Sequence, residues 1–234
     1  MQTLLLAGKE YICLMHIHKP ASRKEIEDTF AKFLGKINQL PPIRSAVKRQ
    51  EREREVYYLQ ILEINHQDVL FRIGTQAGTY IRKICSDFGE LIGTGAHMAQ
   101  LVRTKAGPFN EKEWYTLHDL KDAYTLYIKE GKEEGIRKII KPLEFGVQHL
   151  PKVWVLDTAV DALCHGASLK CPGISKVESN INPKNIIAVM TLKNELIGFG
   201  PADLSSEDMI MESKGTAIRL ETVIMERGNY PKQL

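Results

Sequence analysis

The side chains best suited to chemistry in this chain are an inward-leaning arginine and two groups of lysine and arginine. Arg82 follows the apolar Ile81 in the run GTYIRKICSDFGELIG. Ile81, Ile84, Cys85, Phe88 and Ile92 recur at helical spacing, which predicts an amphipathic helix with Arg82 in its first turn, at the rim of the buried face. A guanidinium at such a rim can hold a carboxylate through two parallel hydrogen bonds, fixing its rotamer and keeping it ionised. The plain alternative is a salt bridge to an acid of this chain, the commoner fate of a helical arginine. Asp87 is poorly placed for that, since five positions along an ideal helix is about 140° of rotation. Asp28 and Asp119 fall on other helices without a matching context. The basic residues Arg44, Lys48 and Arg49 follow Pro41-Pro42, and Arg103 and Lys105 extend the strand after Leu101. Loop-borne cations suit phosphate contacts, so the two groups would flank an RNA groove leading to Arg82. Arg52 and Arg54 alternate with Glu51, Glu53 and Glu55 and read instead as a solvated strand edge. Cys164, His165 and Cys171 lack the paired close spacings of a tetrahedral zinc site, so no metal is expected there. His97 in GTGAHM reads as a satisfied structural histidine.

These groups must be positioned by elements that the pattern also predicts. Residues Glu10 to Ile17 alternate as a strand, with Tyr11, Cys13 and Met15 on one face and Ile12, Leu14 and His16 on the other. Ser22 and Glu25 form a capping box before a helix whose face holds Ile26, Phe30, Phe33, Leu34 and Ile37. The prolines force Gln39 to Pro42 into an extended form. Val56 to Ile64 and Val69 to Ile73 read as a hairpin, and a strand follows the Arg82 helix from Ala96 to Thr104. Leu117, Leu120, Tyr124, Tyr127 and Ile128 define another amphipathic helix with Thr116 as N-cap, and a shorter one covers Glu133 to Ile140. From Lys152 the texture turns all-β, with strands at Trp154 to Leu156, Ile186 to Leu192, Glu195 to Gly200 and Ala217 to Met225. The expectation is an α+β domain over 1–149 with a mixed or antiparallel sheet, then an all-β barrel over 150–228.

Composition bounds the function. A chain of 234 residues with 43% hydrophobic content can bury one large or two ordinary cores. The 32 basic against 29 acidic residues leave a net charge of only +3, so a polyanion partner rests on local clustering and not on total charge. Four cysteines without a framework and no secretory signal predict reduced thiols in the cytoplasm. No apolar run is long enough to suggest a membrane span. The opening MQTLLLAGKEY reads as the middle of a structural element, which predicts further chain upstream.

Four ordered segments carry a family resemblance: KEYICL at Lys9 to Leu14, QLPPIRSAVKRQ at Gln39 to Gln50, FRIGTQAGTYIRK continuing to Phe109, and CHGASLKCPGI at Cys164 to Ile174. Together they resemble the dyskerin-type, RNA-guided branch of the pseudouridine synthase family that also contains the bacterial tRNA enzyme TruB. The ending ERGNYPKQL, without a lysine-rich tail, resembles the archaeal type. The resemblance implies that Arg82 pairs with the family's nucleophilic aspartate. Tyr11 would stack on a flipped uracil and assist proton transfer, Tyr80 would lie beside the pocket, and Leu101 would close it over the base. That aspartate lies in a segment resembling GTLDP, upstream of the KEYICL stretch and not found here, so the chain is expected to be inactive alone. The second part resembles a PUA domain. Its Gly166 and Gly173 would let the backbone approach RNA, beside His165 and the cation of Lys170. No cofactor is implied. The implied partners are guide RNA, substrate rRNA or tRNA, and the small proteins of H/ACA particles. A non-catalytic RNA scaffold, a stand-alone tRNA enzyme and a protein-interaction module are the competing readings.

Overall fold

Alternating apolar residues in KEYICLMHI make the strand around which the first part of the molecule is built. The computed structural model describes residues 4–5, 7–41 and 48–232. It divides into two compact units, Met1–Thr116 and Leu117–Leu234.

In the first unit, β1 (Lys9–Ile17) is joined in an antiparallel sheet by β2 (Gly35–Gln39), β3 (Arg52–Asn65), β4 (Asp68–Thr75), β5 (Ala96–Ala106) and β6 (Phe109–Asn110). The strand order is β2-β3-β4-β1-β5-β6, so β1 lies between β4 and β5. Helices α1 (Arg23–Ala31) and α2 (Ile81–Ile92) contribute their apolar stripes to the core on one face of this sheet. Cys13, Met15 and Ile17 of β1 are buried there with Phe71 and Ile73 of β4, Ile26 and Phe30 of α1, and Ile84, Cys85 and Phe88 of α2. The Phe30 ring bridges the layers, 4.9 Å from Phe71 and 4.5 Å from Phe88 between centroids.

Both predicted helices and the hairpin form, and the capping box is present: Ser22 accepts from the Glu25 amide while Glu25 accepts from the Ser22 amide. The apolar face expected to run on to Leu34 and Ile37 does not. Helix α1 stops at Ala31, Gly35 takes a left-handed φ of 82°, and Ile37 enters β2. Glycine reaches that conformation without a Cβ clash, so the chain reverses there at little cost. Leu34 is left exposed. The Arg52 to Glu55 stretch is not an edge either, since it pairs with Gln39 to Lys36 of β2. Its alternating charges sit on a paired strand, with Glu53 Oε1 3.0 Å from Lys36 Nζ.

The second unit opens with α3 (Leu117–Glu130) and α4 (Glu134–Ile139). It continues as β7 (Lys152–Val155), α5 (Asp157–Cys164), β8 (Leu169–Lys170), β9 (Ile174–Val177), β10 (Ile186–Thr191), β11 (Leu196–Pro201), α6 (Ser206–Met211), β12 (Thr216–Ile218) and β13 (Thr222–Val223). A five-stranded sheet in the order β13-β11-β10-β7-β9 and a two-stranded β12-β8 ladder enclose a core of Val153, Val155, Val160, Leu163, Ile187, Val189, Ile197 and Ile218. The single strand expected from Ala217 to Met225 is divided into β12 and β13. Helix α3 forms as predicted, yet its apolar stripe faces outward, with Leu117 84% and Ile128 61% exposed. The buried residue is Ala123, where α4 approaches closely enough that a Cβ on Gly135 would lie 3.3 Å from the Ala123 methyl. No described helix is long and apolar enough to cross a membrane.

Candidate active site

Helix α2 and strand β1 run side by side in the same direction. The β4 end that precedes α2 pairs with the start of β1, Thr75 with Lys9, and beyond the end of β1 His18 donates to Gly95 just past α2. The two elements are pinned where Cys13 Sγ and Cys85 Sγ approach to 3.7 Å. Two residues back along the strand, about 7 Å, is Tyr11. Three to four residues back along the helix, about 5–6 Å, are Arg82 and Ile81. The first turn of α2 is therefore level with Tyr11. Ile81 is buried and Arg82 is exposed at this turn. Among the described residues no carboxylate pairs with Arg82; Asp87 is taken by Lys83 on the same helix.

Strand β5 completes the face. Leu101 lies opposite Cys13 and Arg103 opposite Tyr11, so both side chains share the helix-facing side with Tyr11. The Arg103 guanidinium carbon stands 5.6 Å from the centre of the Tyr11 ring, within cation–π range. Leu101 is 38% exposed, although the Cys13 it faces is wholly buried. The apolar core thus ends at an open margin formed by Tyr11, Leu101, Arg103 and the α2 start. Burial first, and then the positive Arg103, hold Lys9 below the usual lysine range.

Lys105 is not brought to this side. A register shift makes Glu10 partner Lys105 and Tyr11 partner Arg103, leaving Thr104 as an extra residue in β5. Strand alternation alone would put residues 103 and 105 on one face; the bulge turns Lys105 to the opposite one, where its charge acts on Glu10. Lys48 and Arg49 are exposed just before β3, and Arg44 lies outside the described residues. His97 is exposed, and its Nδ1 is 2.9 Å from His18 Nε2.

Tyr80 caps α2 in an extended conformation and is held by a residue that sequence reasoning passed over. Gln39, 3% exposed, accepts from the Tyr80 amide at 2.9 Å and donates to the Tyr80 carbonyl at 3.2 Å. One side-chain amide so ties the end of β2 to the start of the arginine-bearing helix. The legible signal was a glutamine abutting Leu-Pro-Pro, where a buried amide must find backbone partners.

In the second unit, His165 and Gly166 line one groove with Thr158, Asp161, Ala162, Ala167 and Lys232. His165 Nδ1 lies 2.8 Å from the Asp161 carbonyl oxygen. Gly166 has a φ of 88° and open space where a Cβ would stand. Lys170 and Gly173 are elsewhere. Lys170 Nζ donates to Thr216 Oγ1 at 2.6 Å across the β8–β12 ladder. A Cβ on Gly173 would lie 3.1 Å from the Ala159 methyl, so this glycine lets α5 pack closely. All four cysteines are free and buried.

This sheet with its arginine-bearing helix, followed along the chain by a small β unit, has the architecture of a pseudouridylate synthase catalytic domain and a PUA domain. Residues 7–81 match the model of the TruB family pseudouridylate synthase N-terminal domain, 82–148 that of the tRNA pseudouridylate synthase B C-terminal domain, and 151–224 that of the PUA domain. A probable tRNA pseudouridine synthase B of Methanopyrus kandleri is 50% identical over 232 residues, which are 99% of this chain and 69% of that protein. The corresponding protein of Pyrococcus abyssi is 51% identical over 233 residues, 99% of this chain and 70% of its own. Among solved structures, a Cbf5-Nop10-Gar1 complex matches with a TM-score of 0.96 at 49% identity, covering 99% of this chain and 71% of the matched one. An H/ACA RNP bound to a substrate RNA containing 2'-deoxyuridine matches with a TM-score of 0.89 at 46% identity, covering 99% and 70%. The chain belongs to the TruB family of pseudouridine synthases.

Proposed function

We propose that this chain is the catalytic subunit of an H/ACA-type RNA-guided pseudouridine synthase acting on uridines of rRNA or tRNA, with guide RNA, substrate RNA and small H/ACA proteins as its partners. The observation that carries this reading is the open margin where Tyr11, Leu101 and Arg103 share one face, level with Arg82. The resemblance to the Cbf5-Nop10-Gar1 complex and to the RNA-bound particle supports the guided form. The working division is a catalytic part over 1–149 and a PUA part over 150–228.

In this mechanism a carboxylate held by Arg82 attacks the flipped uridine and the N-glycosidic bond breaks. The base turns, its C5 bonds to the sugar as the carboxylate is released, N1 takes up a proton, and the C5 proton leaves with help from the Tyr11 hydroxyl. Tyr11 and Leu101 receive the base, Tyr80 borders the pocket, and Arg103, Lys48, Arg49 and Lys105 contact phosphates. Lys105 would reach the backbone from the far side of the bulge. His165, Gly166, Lys170 and Gly173 belong to the PUA surface assigned to the guide RNA.

Because no described carboxylate pairs with Arg82, the 234-residue chain alone is expected to release no tritium from RNA carrying 5-tritiated uridine. Supplying the family's aspartate-bearing segment should start the release. Turnover by the 234-residue chain alone would overturn the assignment of the nucleophile. The same unpaired Arg82 favours one second reading, a non-catalytic RNA scaffold, which predicts salt-sensitive RNA binding and no release in either case.

A further inference from the structure

On the face of β1 opposite Tyr11 is a polar knot built around Glu10. Its carboxylate accepts from Tyr58 of β3 at 2.6 Å and from Thr104 of β5 at 2.7 Å, and Arg72 of β4 stands 3.7 Å away. Glu10 is only 14% exposed in its side chain and Thr104 is 2% exposed overall. Four adjacent strands meet at one carboxylate. The backbone makes room for it: a Cβ on Gly74, which pairs with Glu10, would lie 2.3 Å from the Tyr58 ring.

Thr104 is also the extra residue of the β5 bulge, the position at which the β1–β5 register changes between Glu10 and Tyr11. That shift decides which side chain stands opposite Tyr11. With the extra residue accommodated, Arg103 faces Tyr11; in a regular ladder continued from Glu10 and Lys105, Thr104 would take that place. A one-residue slip moves a side chain to the other face of a sheet, so a bulge beside a site needs something to fix it. The hydrogen bond from Thr104 to Glu10 fixes it from behind.

We infer that Glu10 and Thr104 are positioning residues of the uridine site, stapling the β5 bulge so that Arg103 is presented over Tyr11. They touch no substrate and act through the strand register. The inference rests on the assignment of Tyr11 to the site made above.

The test is made in the complete synthase assembled with its RNA. Thr104→Val removes the hydroxyl at nearly constant shape and Thr104→Ser keeps it. Single-turnover isomerisation by Thr104→Val should fall on the order of 10- to 100-fold, the scale set by small misplacement of a reacting group. RNA affinity should fall far less than the rate, because Arg103 is one of several proposed phosphate contacts and the others are left in place. Thr104→Ser should restore the rate. A wild-type rate in Thr104→Val, or a parallel loss of rate and affinity, would overturn the inference. A second reading needs no turnover: in the chain with 13C-labelled tyrosines, the Tyr11 ring signal should shift in Thr104→Ala and hold in Thr104→Ser. Identical spectra in both would sink the staple, whereas a wild-type assembly that fails to isomerise uridine would count against the function alone.

Discussion

The two ends of β1 carry the same alternation of side chains and meet opposite fates. From Cys13 to Ile17 the helix-facing residues are sealed beneath α1 and α2, and Cys13 and Met15 are wholly inaccessible. At Tyr11 the cover stops, a bulge enters the partner strand, and a carboxylate knot grips the sheet from behind. The sealed end makes the strand and helix one rigid piece, and the open end borrows that rigidity. Cys85 shows how dry the sealed end is: the hydrogen bond with Cys13 and then burial push its thiol well above the usual range. At the open end the balance runs the other way. Burial alone would raise Glu10, but the bonds from Tyr58 and Thr104 and the charges of Arg72 and Lys105 outweigh it and hold the carboxyl below its usual range.

The contrast can be broken at either end. Phe88→Ala, at the wholly buried centre of the sealed end, should cost about 3–5 kcal/mol of stability in chemical denaturation, because the cavity cannot be refilled. A cost near zero would show that this end is not the rigid partner. Arg82→Ala, at the open end, should leave unfolding within about 0.5 kcal/mol, as for an exposed residue without partners. Isomerisation in the complete assembly should fall on the order of 1,000-fold, about 4 kcal/mol of transition-state stabilisation. Should stability fall and the rate survive, Arg82 belongs to the scaffold. Gln39→Ala lies between the two, since it strips both partners from the Tyr80 backbone. About 1–3 kcal/mol of stability should be lost, with faster amide exchange confined to the first turn of α2.

The smallest effect is a pH dependence. Burial first, and then the hydrogen bond to Glu10, push the Tyr58 hydroxyl from 10.0 to about 12. A raised folded-state value means a contribution fully present below the unfolded value and lost as pH climbs. Stability should therefore decline between pH 10.0 and about 12, and Tyr58→Phe should flatten that limb in denaturation curves taken across the range. For Glu10 the sign is opposite: its contribution is present above the ordinary carboxylate range and disappears as pH falls below it.

Much of the first unit was legible before the structure. The period of 3.6 in Ile81 to Ile92, the capping box at Ser22 and the alternation in β1 each specify a local element by their own spacing. The failures share one cause. Helix α1 was read too long because Leu34 and Ile37 fit its periodicity, and only the left-handed turn at Gly35 and the pairing with β3 show that Ile37 is a strand residue. Arg103 and Lys105 were placed together because alternation is a local rule, and a bulge is a property of two strands at once. Gly173 was read only as a place for a ligand to approach, and its closeness to Ala159, fourteen positions away, was not legible.

By itself the sequence determined which segments are helix and strand, where Arg82 stands on its helix, and the family to which the motifs belong, because those depend on residue types at short, fixed spacings. Only the tertiary structure decided that Arg103 faces Tyr11, that Gln39 holds the Tyr80 backbone, that Glu10 gathers four strands, and that the α3 stripe stays exposed. These are pairings between residues 41 to 94 positions apart in the chain for the Gln39–Tyr80 and Glu10–Thr104 contacts. Register, packing and the partners of buried polar groups are set by which strands and helices meet, and no local pattern carries that information.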